Sequence, residues 1–95
     1  MAVLLQFSVS SATRDQFEEL DARVGQSMSD AGGPPPGLMS HVVYPDGDGF
    51  TVADVWRTES EGMSYMDAVL RLLVAELNLT ASETTVRPVW SFARP

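Results

Sequence analysis

The chain of 95 residues contains no cysteine and no lysine. Without cysteine it cannot form a disulfide, a thiolate nucleophile or a cysteine-bound zinc site. Without lysine it can form neither a Schiff base nor the phosphate contact of a P-loop lysine. These two absences exclude several kinds of enzyme chemistry, and the lack of disulfides agrees with a cytoplasmic location.

The sequence also lacks a long apolar run and an excess of basic charge. No segment approaches the roughly 18 apolar residues of a membrane-spanning helix. The opening MAVLLQFSVS has neither the basic start nor the longer apolar run of a signal peptide. Thirteen acidic residues against six basic ones give a formal net charge of -7, which repels a phosphate backbone. We therefore expect a cytoplasmic protein that binds neither membranes nor nucleic acid.

What the chain does contain is typical of a small globular protein. Hydrophobic residues make up 44% of it and charged residues 20%, which fits neither a disordered nor a membrane protein. A chain of this length can bury one hydrophobic core, whereas a second core would need more residues. The sequence therefore predicts a single domain over residues 1–95.

The spacing of apolar residues predicts four strands and two helices. Short β-prone runs predict strands at residues 2–9, 38–44, 50–57 and 84–92. Apolar residues at helical spacing, each set behind a capping box, predict helices at residues 14–30 and 59–77. Asp-Gly pairs between the second and third strands predict a tight hairpin turn, and Pro88 predicts an edge or a bulge in the last strand. The order β-α-β-β-α-β is the ferredoxin-like pattern, an α+β fold.

One face of the predicted four-stranded antiparallel sheet has no helix to cover it. The right-handed crossover rule places both helices on the opposite face. Alternation along the strands permits this open face to carry Trp56, Phe50, Trp90 and Leu4, which would form an apolar patch typical of an interaction surface. We therefore expect a homodimer in which two such sheets pack face to face, with Trp90 in the interface.

The stretch PPPGLMSHVVYPDGDGFTVADVWRTESEGM, residues 34–63, resembles the dimeric α/β barrel family. This family includes the antibiotic-biosynthesis monooxygenase-type domains and many small uncharacterised actinobacterial proteins. The resemblance is strongest in the strand from Gly37 to His41, in the G-x-x-V-x-D-V-W strand from Gly49 to Trp56, and in TESE at the start of the second helix. The order of the elements matches the family over nearly the whole chain.

The resemblance implies that two ferredoxin-like subunits join their sheets into a barrel, each with a cavity between sheet and helices. It implies several activities, since some members are cofactor-free oxygenases of aromatic polyketides or quinols, some degrade haem, and many have no assigned activity. The Asn, Trp, His trio of the haem-degrading branch cannot be carried over, because the only asparagine, Asn78, lies in a late loop. Only Trp56 and His41 are carried over as candidate site residues, and no cofactor is expected.

The register of the hairpin decides whether His41, the only histidine, can meet a carboxylate. If a loop from Asp46 to Gly49 joins the strands, residues whose numbers sum to 95 face each other: His41 and Asp54, Tyr44 and Thr51, Met39 and Trp56. A loop one residue longer or shorter would pair His41 with a residue of the opposite phase, so that His41 and Asp54 would no longer face each other. In the first register the carboxylate would raise the imidazole pKa and fix its tautomer. His41 would then be a candidate general base for a phenol proton, or one half of an ordinary hydrogen-bonded pair.

Three further residues belong to the predicted site. Trp56 and Tyr65 could stack on a flat substrate, although aromatic residues are more often core or interface anchors. Gln6 could converge with His41 and Asp54 on one cavity. No metal is expected, because DGDG is out of phase with a calcium loop and one histidine without cysteine does not make a zinc site. Haem ligation through His41 alone stays open.

Two functions of different classes follow from these observations. The first is a cofactor-independent monooxygenase or isomerase of an aromatic, polyketide-like or quinol compound, with His41 as base, Asp54 as its orienting partner, and Trp56 and Tyr65 shaping the pocket. The second is a dimeric ligand-binding or structural module without catalysis. They differ in whether Gln6, His41 and Asp54 converge in an open cavity or are packed shut.

Overall fold

The structure, a computed structural model, describes residues 1–93; residues 94 and 95 of the predicted domain lie outside this range. In chain order the elements are β1 Val3–Ser10, α1 Arg14–Asp30, β2 Leu38–Asp46, β3 Gly49–Trp56, α2 Glu59–Tyr65, a π-helical turn Met66–Leu70, α3 Arg71–Glu76, β4 Thr80–Ala81 and β5 Thr85–Pro88. β1 pairs antiparallel with β3 on one side and with β4 and β5 on the other, and β3 pairs with β2. The predicted ferredoxin-like fold is confirmed. The sheet has five strands rather than four, because two short strands, β4 and β5, pair with β1 where a single last strand was predicted.

α1 begins and ends at the predicted residues, and the predicted capping box is present. The hydroxyl oxygen of Thr13 accepts a hydrogen bond from the backbone N–H of Gln16 at 3.2 Å, and the Gln16 side chain accepts one from the backbone N–H of Thr13 at 2.8 Å. These two bonds satisfy donors that the first helical turn leaves unpaired. Leu20 and Val24 are buried against the sheet.

The core lies in one layer between the sheet and the helices. Along β1, buried residues alternate with partly buried ones, because one face of the strand meets the helices and the other does not. The buried apolar residues are Val3, Leu5, Phe7, Val9, Leu20, Val24, Phe50, Val52, Trp56, Met66, Leu70 and Val74. In residues 1–93 no helix has the length and the apolar character needed to cross a membrane. The predicted cytoplasmic location stays a prediction.

Trp56 and Phe50 lie in this core, so the prediction that they form the open face of the sheet is wrong. Their exposed fractions are 0% and 4%. Alternation identifies residues that share a face, but it does not say which face the helices cover. Leu4 alternates with the buried Val3 and Leu5 and therefore lies on the open face, as predicted. Trp90 follows β5 and is 93% exposed.

The β2-β3 hairpin has the predicted register over most of its length. Residues whose numbers sum to 95 are paired from Ser40 and Val55 to Asp46 and Gly49, and Gly47 at φ 58° supplies the left-handed conformation of the turn. The register shifts by one between Leu38 and Ser40. Leu38, and not Met39, therefore faces Trp56, because Met39 is the extra residue of a β-bulge.

The second predicted helix is divided by its π-helical turn. A single α-helix was predicted over residues 59–77, whereas α2 and α3 are joined without a break by the turn Met66–Leu70. Before this turn, Gly62 lies close to the sheet. A Cβ added there would be 2.5 Å from Leu5 Cδ1 and 2.9 Å from Trp56 Cγ. The absence of a side chain at Gly62 therefore lets α2 pack directly on β1 and β3.

Candidate active site

His41 and Asp54 face each other across β2 and β3. Their Nδ1 and Oδ1 atoms are 2.6 Å apart, which is the length of a strong, charge-assisted hydrogen bond. The Asp54 side chain is 5% exposed and that of His41 is 38% exposed. Asp54 is therefore buried in the interior, while His41, on the edge strand, is partly in contact with solvent. The predicted pairing is confirmed, while a catalytic role for it stays a prediction.

The hydrogen bond with Asp54 raises the pKa of His41 above its usual value of 6.5. Partial burial opposes this effect, and the negative charges of Asp54 and Asp21 support it. Since a carboxylate only accepts hydrogen bonds, Nδ1 carries the proton in the neutral ring and Nε2 carries the lone pair. Nε2 is therefore the nitrogen that can take up a proton from a ligand.

Asp21 is a site residue that the sequence reasoning missed. It lies on α1 next to the buried Leu20, and its charge acts on His41 across the space between helix and sheet. It is itself solvent-exposed. Nothing in the local sequence distinguishes it from the other acidic residues of α1, because its proximity to His41 depends on how the helix packs on the sheet.

There is little free space beside His41 on the helix side. The crevice that His41 and Asp21 line has a volume of about 20 Å³, which is room for about one water molecule. A cavity of about 550 Å³ lies between α3 and the sheet, and neither His41 nor Asp54 lines it. The predicted general base and this cavity are therefore in different places.

Trp56 and Tyr65 pack on each other in the interior, with ring centroids 5.6 Å apart and an interplanar angle of 41°. Among the described residues, neither Trp56 Nε1 nor the Tyr65 hydroxyl, both buried, has a hydrogen-bond partner. Burial, and then the charge of Asp54, raise the pKa of Tyr65 above its usual 10.0. Two buried donors without acceptors cost about 1–3 kcal/mol each, and a ligand oxygen that paired with them would recover this.

Gln6 does not converge with the other candidates. It pairs with Ala53 across β1 and β3, whereas Asp54 pairs with Leu5. Neighbouring residues of a strand point to opposite faces, so Gln6 lies on the open face and Asp54 on the helix face. The prediction that Gln6, His41 and Asp54 share one cavity is wrong. Within residues 1–93 no group of three or more acidic or histidine side chains could hold a metal ion.

We expect NMR to detect the effect of Asp54 directly. The imidazole of His41 should titrate above pH 6.5 in the native protein and closer to 6.5 in Asp54→Asn, because the largest cause of the raised pKa is lost. Asp21→Asn is the matched control and should lower the pKa less, since Asp21 acts through its charge alone. The untagged chain has one histidine, so the signal is unambiguous. An unchanged titration in Asp54→Asn would contradict the assignment.

The same raised pKa predicts how stability depends on pH. The stabilisation by the His41–Asp54 pair is fully present below the unfolded-state pKa of 6.5 and is lost as the pH rises through the higher folded-state pKa. Urea unfolding on both sides of this window should therefore give a free energy of unfolding that falls with pH. In His41→Gln this part of the fall should be missing.

Neither a protein-family model nor a curated protein sequence matches the chain. Among solved structures, a variant of SnoaB, a cofactor-independent oxygenase from Streptomyces nogalater, matches with a TM-score of 0.65 and 14% identity over 96% of this chain and 94% of that one. A provisionally assigned antibiotic biosynthesis monooxygenase from Chloroflexus aurantiacus matches with a TM-score of 0.61 and 19% identity over 96% and 97%.

Rv0793 from Mycobacterium tuberculosis matches over 99% of this chain and 100% of its own, with a TM-score of 0.62 and 14% identity. Identities this low establish the fold and leave activity open. The likeness nevertheless extends over nearly the full length of every chain compared. The protein therefore has the ferredoxin-like fold of the antibiotic-biosynthesis monooxygenase-type structures.

Proposed function

We propose that the protein is a cofactor-independent oxygenase of an aromatic compound with an acidic hydroxyl or C–H group. The observation that carries this proposal is the 2.6 Å hydrogen bond between His41 Nδ1 and Asp54 Oδ1. It orients the ring, sets its tautomer and strengthens Nε2 as a base. The fold shared with SnoaB, a cofactor-independent oxygenase, supports the same reaction class.

The proposed reaction begins when His41 Nε2 removes a proton from the substrate. The resulting anion is electron-rich enough to react with dioxygen, which is the co-substrate. With an anthrone, the two hydrogens of the reacting CH₂ group leave with one oxygen atom as water, and the other oxygen atom becomes the new carbonyl. Asp54 accepts the hydrogen bond from His41 Nδ1 and stabilises the imidazolium that forms after the first step.

Trp56 and Tyr65 are proposed to bind an oxygen atom of the substrate. Their N–H and O–H groups are buried and unpaired among the described residues, and Tyr65 is near enough to Asp54 for the carboxylate charge to raise its pKa. Because Trp56 is fully buried, a substrate reaches it only if side chains around it move. Gln6, which faces the other way, is not part of this proposal.

Oxygen uptake with a panel of anthrones and quinols tests the function. His41→Gln should lower the turnover about a hundredfold, the lower end of what a general base contributes. Ser40→Ala, a change on the neighbouring residue of the same strand, should leave turnover close to that of the unmodified protein. The rate should rise with pH through the raised pKa of His41, since only the neutral ring accepts a proton. Turnover that His41→Gln leaves unchanged would remove His41 from the mechanism.

We also propose that the open sheet face is a homodimer interface. Val42 and Tyr44 on β2 are 51% and 41% exposed on this face, and the partly buried Leu4 and Val55 continue it. Such an apolar surface is typical of an association site. Sedimentation equilibrium should give twice the 10.3 kDa chain mass, and Val42→Glu should shift it towards the monomer. A monomer at micromolar concentration would count against the dimer.

A second candidate function is a dimeric binding or structural module without catalysis. The observation that favours it is the crevice of about 20 Å³ beside His41, which has no room for an aromatic substrate. If the panel of substrates gives no oxygen uptake and His41→Gln alters only the pH dependence of stability, this second candidate is the better description.

A further inference from the structure

We propose that, in the homodimer, Trp90 of each chain binds in the groove between α1 and the β2–β3 hairpin of the other chain. This groove has a volume of about 330 Å³, at the lower end of the range of binding cavities, which is room for one large aromatic side chain. This contact rests on the homodimer proposed above, and it assigns a binding place to the end of each chain. The residues that line the groove include Ala12, Arg14, Phe17, Tyr44, Pro45 and Phe50.

Trp90 is a large apolar side chain that the single chain leaves in solvent. It is 93% exposed, and Phe92, two residues further on, is 37% exposed. A tryptophan this exposed is unusual, because its ring system has a large apolar area, and tryptophan is a typical anchor of protein interfaces. The backbone N–H of Val89 donates a hydrogen bond to the Ala2 carbonyl at 2.9 Å, so the chain is held at the residue before Trp90. Trp90 therefore projects from a fixed point at the edge of the sheet.

The floor and walls of the groove are made of rings. Phe17 and Phe50 contact each other edge to face, with ring centroids 5.4 Å apart and an interplanar angle of 69°. Phe50 is 4% exposed, so it lies at the floor. Tyr44 and Pro45 form one wall, and aromatic and proline rings both pack well against an indole. The groove therefore suits a flat aromatic side chain.

Among the described residues that line the groove, Arg14 is the one that carries a charge. Its guanidinium forms an ion pair with Glu18, with Nε and Oε1 3.3 Å apart, and both side chains are exposed, so this pair is weak. An arginine beside a tryptophan stacks its planar guanidinium on the indole face and keeps its hydrogen-bond donors for other partners. The rim therefore favours an indole ring over an aliphatic side chain.

Trp90 cannot reach the groove of its own chain. β5 ends at Pro88, which pairs with Val3 at the start of β1. Phe50, on the floor of the groove, pairs with Val9 near the end of β1, about 20 Å away at 3.3 Å per residue. β5 and β2 also lie on opposite edges of the sheet. Since Trp90 comes two residues after Pro88 and reaches only about 7 Å past it, the groove takes the Trp90 of another chain.

The groove and Trp90 lie at diagonally opposite corners of the sheet. A two-fold axis between two facing sheets, parallel to the other diagonal, exchanges these corners and brings each Trp90 to the groove of the other chain. Both contacts then form at once, and the assembly closes as a dimer. The strands of the two sheets cross at a large angle, as in orthogonal sheet packing. Tyr44 lines the groove and is also exposed on the open face, so the groove adjoins the proposed interface.

Cross-linking between engineered cysteines tests the contact, because the native chain has no cysteine. Ser91→Cys places a thiol next to Trp90 and leaves the indole in place, while Arg14→Cys places one at the rim of the groove. A mixture of these two variants, one of them ¹⁵N-labelled, should give a mixed cross-linked dimer with a short bis-maleimide. Ala22→Cys, at an exposed position of α1 outside the groove, should give no mixed product with Ser91→Cys.

Sedimentation equilibrium measures how much the contact contributes to the dimer. Trp90→Ala should raise the dimer dissociation constant at least about tenfold, since a buried tryptophan anchor is typical of an interface hot spot. Pro45→Glu, which places a charge in the groove, should change the constant in the same direction. Ser91→Ala, at the exposed residue next to Trp90, should leave the constant within about twofold, the usual range for surface changes.

The Trp90 contact and the dimer itself fail in different ways. If the unmodified protein is a dimer but Arg14→Cys and Ser91→Cys give no mixed product, the dimer stands and the Trp90 contact is overturned. Cross-linking only between two Ser91→Cys chains would place the two tryptophans together and would also overturn the contact. An unchanged dissociation constant in Trp90→Ala, with native circular dichroism, excludes Trp90 as an anchor. A monomer at micromolar concentration overturns both proposals.

Discussion

Trp56→Ala is expected to lower the free energy of unfolding by about 3–5 kcal/mol, the usual cost of truncating a buried aromatic residue. Trp56 is 0% exposed, and its ring packs against Tyr65 and lies next to Gly62 of α2. Trp90→Ala is the matched control when both changes are made in the Val42→Glu background, which is expected to be monomeric: Trp90 is 93% exposed in the single chain, and its truncation there should change the free energy by less than about 0.5 kcal/mol. Urea unfolding followed by far-UV circular dichroism measures both variants without relying on tryptophan fluorescence.

The comparison between the two tryptophans measures the packing role of Trp56. If Trp56→Ala loses stability as expected, a fall in activity in that variant reports the damaged core together with any lost substrate contact, so it does not by itself test the contact proposed for Nε1. Trp56→Phe, which keeps an aromatic ring, should recover part of the stability. Equal and small effects at both tryptophans would show that Trp56 is not a core anchor, in conflict with its burial.

Gly49→Ala is expected to destabilise the protein by at least about 3 kcal/mol, at the upper end of the cost of overpacking. An added Cβ would be 1.8 Å from the backbone oxygen of Val9. The neighbouring backbone is held in place, since Ser11 and Ala12 donate hydrogen bonds to Asp48 at 3.0 and 2.9 Å. A backbone oxygen in a paired strand cannot rotate away as a side chain can, so the strands must separate.

Gly25→Ala is the control for the replacement of glycine by alanine at a position with free space. Gly25 lies within α1 with nothing within 4 Å of an added Cβ, so alanine should raise stability by about 0.8–1 kcal/mol through its helix propensity. Urea unfolding of both variants should therefore give changes of opposite sign. Native stability in Gly49→Ala would mean that β1 and β3 approach each other less closely than the structure indicates.

The hairpin illustrates what the sequence can predict. The Asp-Gly pairs specify a tight turn, and the parity of that turn is enough to place His41 opposite Asp54. The same argument failed for Met39 and Trp56, because a β-bulge shifts the register at one residue without a local signal such as glycine. Turn parity is a local property, whereas the bulge depends on how the start of β2 fits against β3.

The main error of the sequence prediction concerned which face of the sheet the helices cover. Phe50, Asp54 and Trp56 have even numbers on one strand, so whichever face takes the tryptophan also takes the carboxylate. The helices cover that face, since the burial of large apolar side chains outweighs the cost of one buried carboxylate that is hydrogen-bonded to His41. The position of Gln6 follows from the same parity, because it pairs with Ala53 on the other face.

Site residues on the helices were harder to predict than those on the hairpin. Asp21 comes near His41 only through the packing of α1 on the sheet, and single-sequence periodicity shows only which side of a helix is apolar. The π-helical turn is not predicted because the apolar stripe of the second helix fits a regular α-helix. That stripe consists of Met66, Val69, Leu70, Leu73 and Leu77. The structure buries Met66, Leu70 and Val74 instead.

The π-helical turn Met66–Leu70 affects how this chain should be aligned with others. A π-helical turn takes up one residue more than an α-helical turn, so the residues before and after it follow two different numbering frames. Suppose that this chain is aligned with a protein that has a regular α-helix here, and that no gap is placed in the second helix. Every residue after the turn is then matched to a residue one position away from its structural equivalent. Residue roles read from such an alignment hold up to Tyr65 and need a one-residue correction from Arg71 onward.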